Sequence, residues 1–551
     1  MTETKPAGGT KSAPAGGARR HAHPALVLLV IAGAQMMVVL DSTIVNIALP
    51  SMGQYFDKSQ TDMTWALNSY ALAFGGLLLL GGRMGDILGR RRMFALGLTL
   101  FTVGSFAAGV AANFPLLLAG RAIQGIGGAI ASPTALSLIT TEFEEGEART
   151  RAIAVYAAVS GAGAALGLLL GGILTNYFSW RWVLFVNVPI GIVLIVGAFL
   201  YLHESERLQG RFDFVGALLS VAGMVATVYG FIHVAHSGWA NTQTYTVFGA
   251  AIVLLVSFVL YEAFGTPDPM MPMRIFENRN RSGAYIIMFV VGGGMFGMFY
   301  FVTFFVQGVR EYGPLKTGVS FLPVALMIGI TAQVVAKFLG RVGPKPIMIA
   351  GTALLTGSLL WFSTVDSSSG YLDKLLPGML MLAVGMGCLF VPLTSVAVSQ
   401  VANTDAGLAS ALLNVGQQVG GALGLSVMTT VFGTAAANYA GDHAPTLLGK
   451  VTDPQLRGAL GGELGAHQSG LQGADIQKFV NGLPADQQAA AAKFFSGPYR
   501  GFSHDLLAHA SGQGFLTGAV FGGVALLSAI FLINVTKKDL PTAPPLEVAA
   551  A

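Results

Sequence analysis

Long apolar blocks follow one another along almost the whole chain, and they constrain the fold more than any other feature of the sequence. About 20 apolar residues in a row cross a bilayer as an α-helix, and the chain holds about 14 such blocks. Only 11% of its 551 residues are charged, whereas soluble domains carry about 25%. The sequence therefore predicts an all-α integral membrane protein.

Basic residues in the short connections predict the orientation of these spans. The spans fall near 25–49, 63–82, 94–113, 115–139, 151–175, 182–202, 212–234, 244–265, 282–308, 315–339, 346–365, 372–399, 406–434 and 513–535. The N-terminal tail, alternate connections such as Arg90–Arg92, and the segment after the last span carry the lysines and arginines. Because basic loops stay on the cytoplasmic side, we expect both termini in the cytoplasm.

A short internal repeat predicts two related halves. The stretch Gly163–Leu168 of the fifth span recurs as Gly420–Leu425 in the thirteenth. Parallel repeats of this kind are typical of two six-helix bundles related by a pseudo-twofold axis along the membrane normal. The repeat pairs correctly if the seventh and eighth spans are an insert.

This scheme divides the chain into five parts. Residues 1–24 are polar and predict a disordered cytoplasmic tail. The N-terminal bundle covers 25–202, two inserted helices and a linker cover 203–280, the C-terminal bundle covers 281–535, and 536–551 form a second tail. Within the last bundle, the segment 435–512 is not apolar enough to cross the membrane. Its residues Pro454 and Pro484 are typical of helix starts. We interpret it as an external helical insert, with a flexible loop as the alternative.

A carboxylate and a guanidinium lie inside predicted spans. Asp41 belongs to the first span and Arg121 to the fourth, and a charge in the membrane costs about 2.5–3.5 kcal/mol even on a mild scale. At about 1.5 Å per residue, the two lie at similar depth. They either pair directly or share a polar network with Asn46 and Gln124, and a purely structural ion pair is the alternative to a functional one.

The connection between the second and third spans is rich in glycine and charge. Glycines allow a tight turn and close helix approach, and Asp86 can accept hydrogen bonds from arginines or from a helix N-terminus. We interpret the loop as a cytoplasmic gate, in which Asp86 meets the helix that starts after Asn403-Thr404-Asp405; a basic cluster that only sets topology is the alternative. The candidate gate residues are Gly82, Arg83, Gly85, Asp86, Gly89, Arg90 and Arg91.

The fifth span contains small residues at helical spacing, which let helices approach closely. The residues are Gly163, Gly167, Gly171 and Gly172. This pattern is also compatible with ordinary helix packing.

Aromatic residues, methionines and glycines of the ninth span predict an adaptable apolar wall, although about half of them can face lipid instead. The candidate substrate-binding residues are Asn46, Tyr70, Gln124, Phe296, Tyr300, Phe304, Gln333, Asn414 and Gln418. Apart from Asp41, no acid lies well inside a predicted span, and Glu262 falls near a span end. Since buried cations need buried counter-charges, we expect neutral or weakly charged, bulky, lipophilic substrates.

Four motifs in order resemble the 14-span drug/proton antiporters of the major facilitator superfamily. They are Leu40–Pro50, the loop 82–92, Arg121–Gly128, and Trp180-Arg181-Trp182 followed by Phe185–Gly191. The resemblance covers about residues 25–535. It implies the superfamily fold of two six-helix bundles with two inserted helices.

The resemblance also implies proton-driven export by alternating access, with Asp41 and Arg121 in proton coupling and Asp86 in the gate. The fifth-span signature departs from the family, because Leu168 stands where a proline follows glycine. No catalytic triad, metal-spaced cluster or phosphate loop is present, so we expect neither an enzyme nor a metal or cofactor beyond the coupling proton. We expect a monomer in a bacterial plasma membrane, acting on lipophilic drugs and not on nucleic acid; transport of lipids or lipid-like metabolites is the alternative.

Overall fold

The computed structural model describes residues 23–144, 146–204, 212–399, 406–466 and 473–535. All regular structure in these ranges is helical. Thirteen of the described helices are long and apolar enough to cross a membrane. The predicted fifth span lies in a helix of 31 residues whose apolar part, Ala162–Tyr177, is shorter than the other spans. A total of 14 spans therefore remains a prediction.

The helices follow the predicted blocks in order. The first half contains α1 (Pro24–Phe56), α2 (Gln60–Leu88), α3 (Arg90–Gly109), α4 (Phe114–Glu142), α5 (Glu147–Tyr177), α6 (Trp182–Phe185) and α7 (Asn187–Tyr201). An inserted hairpin follows, with α8 (Phe214–Ser237) and α9 (Thr242–Leu260), the latter extended by a π-helical turn at Tyr261–Gly265 and followed by a 3-10 turn at Met273–Phe276. The second half contains α10 (Arg279–Gly308), α11 (Pro314–Val342), α12 (Pro344–Phe362), a π-helical turn at Tyr371–Leu375, α13 (Leu376–Val398) and α14 (Ala406–Leu448). Then come α15 (Pro454–Ala466), α16 (Gly473–Gly482), α17 (Ala485–Phe494), a π-helical turn at Phe495–Tyr499 and α18 (Arg500–Phe531).

The repeated glycine stretches occupy corresponding positions in the two halves. In α5, a Cβ on Gly167 would lie 2.8 Å from the Leu40 carbonyl oxygen of α1. In α14, a Cβ on Gly424 would lie 2.5 Å from the Gly293 Cα of α10. Each stretch therefore allows the first long helix of its own half to pack at backbone contact, which only small residues permit.

The inserted hairpin packs across the seam between the halves. Its helix α8 contacts α2 of the first half and α14 of the second. A small apolar cluster joins the three helices and consists of Ala71, Leu72, Met224, Val228, Ile232, Val419 and Ala422.

The segment between α14 and α18 folds into short helices around its own apolar cluster. The buried members of this cluster are Leu447, Val451, Leu456, Leu460, Leu464, Ala491, Phe494, Phe495 and Tyr499. Pro454 is the first residue of α15, as predicted, and Pro484 directly precedes α17. We call this group of helices the cap.

In the part of the chain that the structure describes, three hydrogen bonds join the halves toward one end of the bundle. The Tyr300 hydroxyl donates to the Gln60 carbonyl at the start of α2, and Gln307 Nε2 donates to the Ile47 carbonyl at 3.0 Å. Deeper in α2, Asn68 Nδ2 donates to Ser426 Oγ at 3.0 Å. These contacts hold the halves together toward the helix ends that the sequence predicts to be outside.

Candidate functional site

Asp41 and Arg121 form a buried ion pair between α1 and α4. Arg121 Nη1 donates to Asp41 Oδ2 at 2.5 Å. The Arg121 side chain is 1% exposed and the Asp41 side chain is 0% exposed. Charges removed from water are tolerated when they are paired and hydrogen-bonded. The pairing explains how both residues can lie inside apolar helices.

Two amides complete the set of donors to Asp41. Gln124 Nε2 and Asn187 Nδ2 each donate to Asp41 Oδ1 at 2.9 Å. The same amide nitrogens lie 2.6 and 3.1 Å from Ser105 Oγ. Asp41 therefore accepts hydrogen bonds from three side chains on α4 and α7. We call Asp41, Ser105, Arg121, Gln124 and Asn187 the Asp41 network.

The membership of this network differs in part from the prediction. Gln124 belongs to it, but Asn46 does not, because its Nδ2 donates to the Ser42 carbonyl of its own helix at 3.1 Å. Asn187 and Ser105 were not predicted as site residues. Asn187 carried a signal as the one polar side chain in the motif Phe185–Gly191. Ser105 carried none, because single serines are frequent in membrane helices.

Arg121 has further partners besides Asp41. Its Nε donates to the Ala66 carbonyl at 3.0 Å, its Nη1 donates to Gln124 Oε1 at 3.0 Å, and its guanidinium lies 4.5 Å from the centre of the Tyr70 ring. A protonated Asp41 would lose its charge attraction to Arg121. The guanidinium would still be held by two oxygens and an aromatic face. The arrangement can therefore switch one contact while the others persist.

The glycines of α5 pack against the part of α1 that carries Asp41. A Cβ on Gly167 would collide with Thr43 Oγ1 and lie 2.8 Å from the Leu40 carbonyl oxygen. A Cβ on Gly163 would lie 3.2 Å from the Met36 carbonyl oxygen. Gly172 faces the second half instead, at 2.8 Å from the Pro314 carbonyl oxygen. The candidate antiporter glycines thus fix both the position of α1 and the contact of α5 with α11.

The predicted gate loop is a continuation of α2 followed by a sharp turn. Helix α2 runs through Arg83 and Asp86 to Leu88, and Gly89 takes φ of 107°, a conformation that glycine adopts without strain. Across this turn, Arg90 Nη2 of α3 lies 3.0 Å from Asp86 Oδ1 of α2.

The loop is anchored to its own half. Arg90 Nη1 donates to the Ser137 carbonyl of α4 at 3.2 Å, and the Arg91 backbone N–H donates to Glu204 Oε1 at 3.1 Å. Gly82 and Gly85 face Pro133 and Thr134 of α4, whereas Arg83 is exposed. Glu204 was not predicted, since an acid just after a span carries no motif signal. Asn403, Thr404 and Asp405, the predicted partners of Asp86 in the second half, lie outside the described residues.

The candidate substrate residues divide into separate groups in the structure. Tyr70 and Gln124 are buried beside Arg121. Tyr300 and Phe304 are 1% and 8% exposed, with ring centres 4.6 Å apart, and belong to the main apolar core. Burial leaves these four side chains no free surface for a large ligand in this conformation.

Asn46 is also buried, whereas the other four candidates are more accessible. Phe296 packs on Gly421, and Gln418 packs on Gly75 at the contact of α2 with α14. Gln333 and Asn414 are exposed. The nine candidates therefore do not form one pocket in this conformation.

A cavity of about 350 Å³ lies elsewhere, between the inserted hairpin, α14 and α18. Its lining combines apolar and polar side chains and consists of Phe231, Trp239, Val427, Thr430, Val431, Thr434, Ala435, Asn438, His509 and Gln513. The sequence does not reveal this cavity, because its walls come from helices far apart in the chain.

Residues 31–425 match the family model of the Major Facilitator Superfamily. The chain belongs to this superfamily. It is 41% identical over 427 residues to the puromycin resistance protein pur8 of Streptomyces alboniger, covering 76% of this chain and 83% of that protein. It is 36% identical over 414 residues to the cephamycin export protein CmcT of Amycolatopsis lactamdurans, covering 74% and 85%.

Solved structures agree with the fold. A bacterial homologue of the human lysosomal transporter Spinster, in an inward-facing and unoccupied conformation, has a TM-score of 0.57 at 16% identity and covers 95% of this chain and 99% of that one. The superfamily fold predicted from the four motifs is confirmed. The chain is a multi-pass membrane transporter, and its relatives export antibiotics or confer resistance to them.

Proposed function

We propose that this transporter exports bulky lipophilic compounds across the bacterial plasma membrane in exchange for protons. The observation that carries the proposal is the Asp41 network, in which the acid is buried and all its hydrogen bonds come from side chains of α4 and α7. The named activities of the relatives support export of antibiotic-like molecules.

In the proposed cycle, a proton from outside binds Asp41 and weakens its contact with Arg121. Arg121 stays with Gln124 and the Ala66 carbonyl, whereas α1 loses its charged tie to α4. The halves then rock about their seam, and the proton leaves to the cytoplasm. One charge moving through 100 mV supplies about 2.3 kcal/mol, which sustains a gradient of about 50-fold.

The substrate class follows from the charges available near the predicted path. Among the candidate proton-coupling and substrate-binding residues, Asp41 is the acid inside a span, and its charge is already paired with Arg121. A dication bound there would therefore lack an unpaired counter-charge. We expect neutral and weakly charged lipophiles to be exported and dications to be poor substrates.

Transport of lipids or lipid-like metabolites is the second candidate. The cavity beside the inserted hairpin favours it, because aromatic walls at Phe231 and Trp239 combine with polar groups at Asn438 and His509. Such a lining suits a molecule with an apolar body and a polar end.

The test is uphill transport by the full-length protein in proteoliposomes with an imposed proton gradient. Asp41→Asn should abolish accumulation of a fluorescent lipophile while the protein stays folded. Asp57→Asn is a matched control with the same charge change directly after the same helix; Asp57 is exposed at φ of 51°, which asparagine tolerates. Wild-type accumulation by Asp41→Asn would overturn the proposed coupling, and accumulation of phospholipid but not of drug would favour the second candidate.

A further inference from the structure

Two buried acids lie together at the base of the inserted hairpin, apart from the Asp41 network. Asp213 precedes α8 and Glu262 lies in the π-helical turn after α9, and they are 6% and 2% exposed. Glu262 lies near the end of its span, as the sequence predicts. The structure adds that its carboxyl group is enclosed.

One oxygen of each carboxyl group is satisfied and the other is not. The Gly216 N–H donates to Asp213 Oδ1 at 2.7 Å, and the Met271 N–H donates to Glu262 Oε2 at 2.8 Å. Asp213 Oδ2 and Glu262 Oε1 are buried without a hydrogen-bond partner. A Cβ on Gly216 would lie 2.5 Å from each of these two oxygens. The unsatisfied oxygens therefore face the same small space.

Two ionised carboxyl groups in this position would be unstable. Each is acceptor-only when ionised, so they can hydrogen-bond to one another only if one carries a proton. Enclosed like charges at this separation repel, and a shared proton relieves the repulsion. Both inward oxygens lie 2.5 Å from one point beside Gly216, which places them close enough for one proton to relieve their repulsion.

Among the described residues around the pair, the charged side chains are exposed or paired with one another. On the segment after the hairpin, Asp268, Arg274 and Glu277 are exposed. On α2, which packs against α8, Arg83 is exposed and Asp86 is paired with Arg90. The described parts of α8 and α9 add no other charged side chain at this end, and Arg207 and Arg211 lie outside the described residues.

We propose that Asp213 and Glu262 together bind one proton at neutral pH and form a protonation site separate from Asp41. The proton bridges the start of α8 to the end of α9. Its loss at high pH places two facing carboxylates at the hairpin base. Because α8 packs on both α2 and α14, the protonation state of the pair sets how firmly the hairpin spans the seam.

The first test is infrared spectroscopy of the full-length protein in lipid nanodiscs during a pH titration. The wild type should show the C=O stretch of a protonated carboxylic acid at neutral pH and lose it on alkalinisation. Both Glu262→Gln and Asp213→Asn should lack this band, because a single amide can donate to the remaining carboxylate. Asp41→Asn and the exposed control Asp268→Asn should retain it. Absence of the band in the wild type, or its persistence in both pair variants, would overturn the proposal.

The second test is the midpoint of thermal unfolding as a function of pH. A proton held by the folded form stabilises it at lower pH, and this contribution is lost as pH rises. The wild-type midpoint should therefore fall more steeply than that of Glu262→Gln, or, if that variant does not fold, of Asp213→Asn. The difference is expected between the ordinary carboxyl range of the unfolded chain and the pH at which the folded pair loses its proton. Equal slopes in wild type and variant would contradict a shared proton. A midpoint restored at high pH by sodium or magnesium ions would reassign the pair as a cation site.

Discussion

The Asp41 network and the Asp213–Glu262 pair are two ways of enclosing a carboxyl group in one membrane protein. Asp41 accepts from a guanidinium and two amides, so its charge is balanced within the protein. Glu262 faces another acid, and the two inward oxygens have no donor. Equal burial thus occurs in opposite surroundings: Arg121 supplies a counter-charge to Asp41, whereas Asp213 and Glu262 face one another.

Removing the cation of the Asp41 network should have the largest effect on stability. Arg121→Gln leaves the charge of Asp41 enclosed with amide donors alone. Losing one partner of a buried pair costs about 3–5 kcal/mol, so we expect a large fall in the free energy of unfolding in detergent. Arg83→Gln, an exposed arginine of the gate loop, is the control and should change little. Unchanged stability of Arg121→Gln would mean that the contact between Arg121 and Asp41 contributes no net stability.

Removing one amide gives a smaller effect and tests how fully Asp41 must be satisfied. Asn187→Ala deletes one of two donors to Oδ1 and should cost about 1–3 kcal/mol. Asn46→Ala removes the same atoms from a side chain that bonds only within its own helix. If the two variants unfold at the same temperature, the contact of Asn187 with Asp41 contributes no net stability.

The contact between α1 and α5 behind Asp41 can be disturbed without substituting a polar residue. Gly167→Ala places a methyl group against Thr43 and the Leu40 carbonyl, and overpacking of this kind costs about 1–3 kcal/mol. Gly249→Ala on α9, where nothing lies within 4 Å, should be neutral or stabilising, because alanine favours helix by about 1 kcal/mol. Thermal unfolding of the two variants measures the difference, and a stable Gly167→Ala would show that α5 can move away from α1.

The smallest effect is expected at Tyr70. Its ring lies over Arg121, but its hydroxyl is buried without a hydrogen-bond partner. Tyr70→Phe keeps the ring and removes only the unsatisfied group, so stability should change by less than about 0.5 kcal/mol. Transport of the fluorescent lipophile should also persist. A strong loss of transport with normal stability would indicate that the hydroxyl contacts substrate in another conformation.

The sequence predicts contacts best where a residue with a high free-energy cost of burial has few possible partners. Asp41 and Arg121 are charges at matching depth, so their proximity could be predicted from cost and helix rise alone. Pro454 marked the start of α15 because a missing N–H is harmless there.

Other features depended on packing that a single chain does not reveal. Nothing in the local sequence places Glu204 against the turn at Gly89, or Asn187 against Asp41. Tyr300 and Phe304 look alike whether they line a cavity or fill a core, and the structure places them in the core. Asp213 and Glu262 are 49 positions apart in the numbering, and their meeting depends on how the hairpin closes.

The length of α14 has a mechanical consequence. Its 43 residues extend about 64 Å at 1.5 Å per residue, about twice the thickness of the hydrocarbon core. A rigid rod of that length that tilts by about 10° displaces one end against the other by about 11 Å. A small rotation of α14 at its contact with α2 would displace its cap end by a much larger distance. A fluorescent label on α15 would therefore report the movement of the two halves relative to one another.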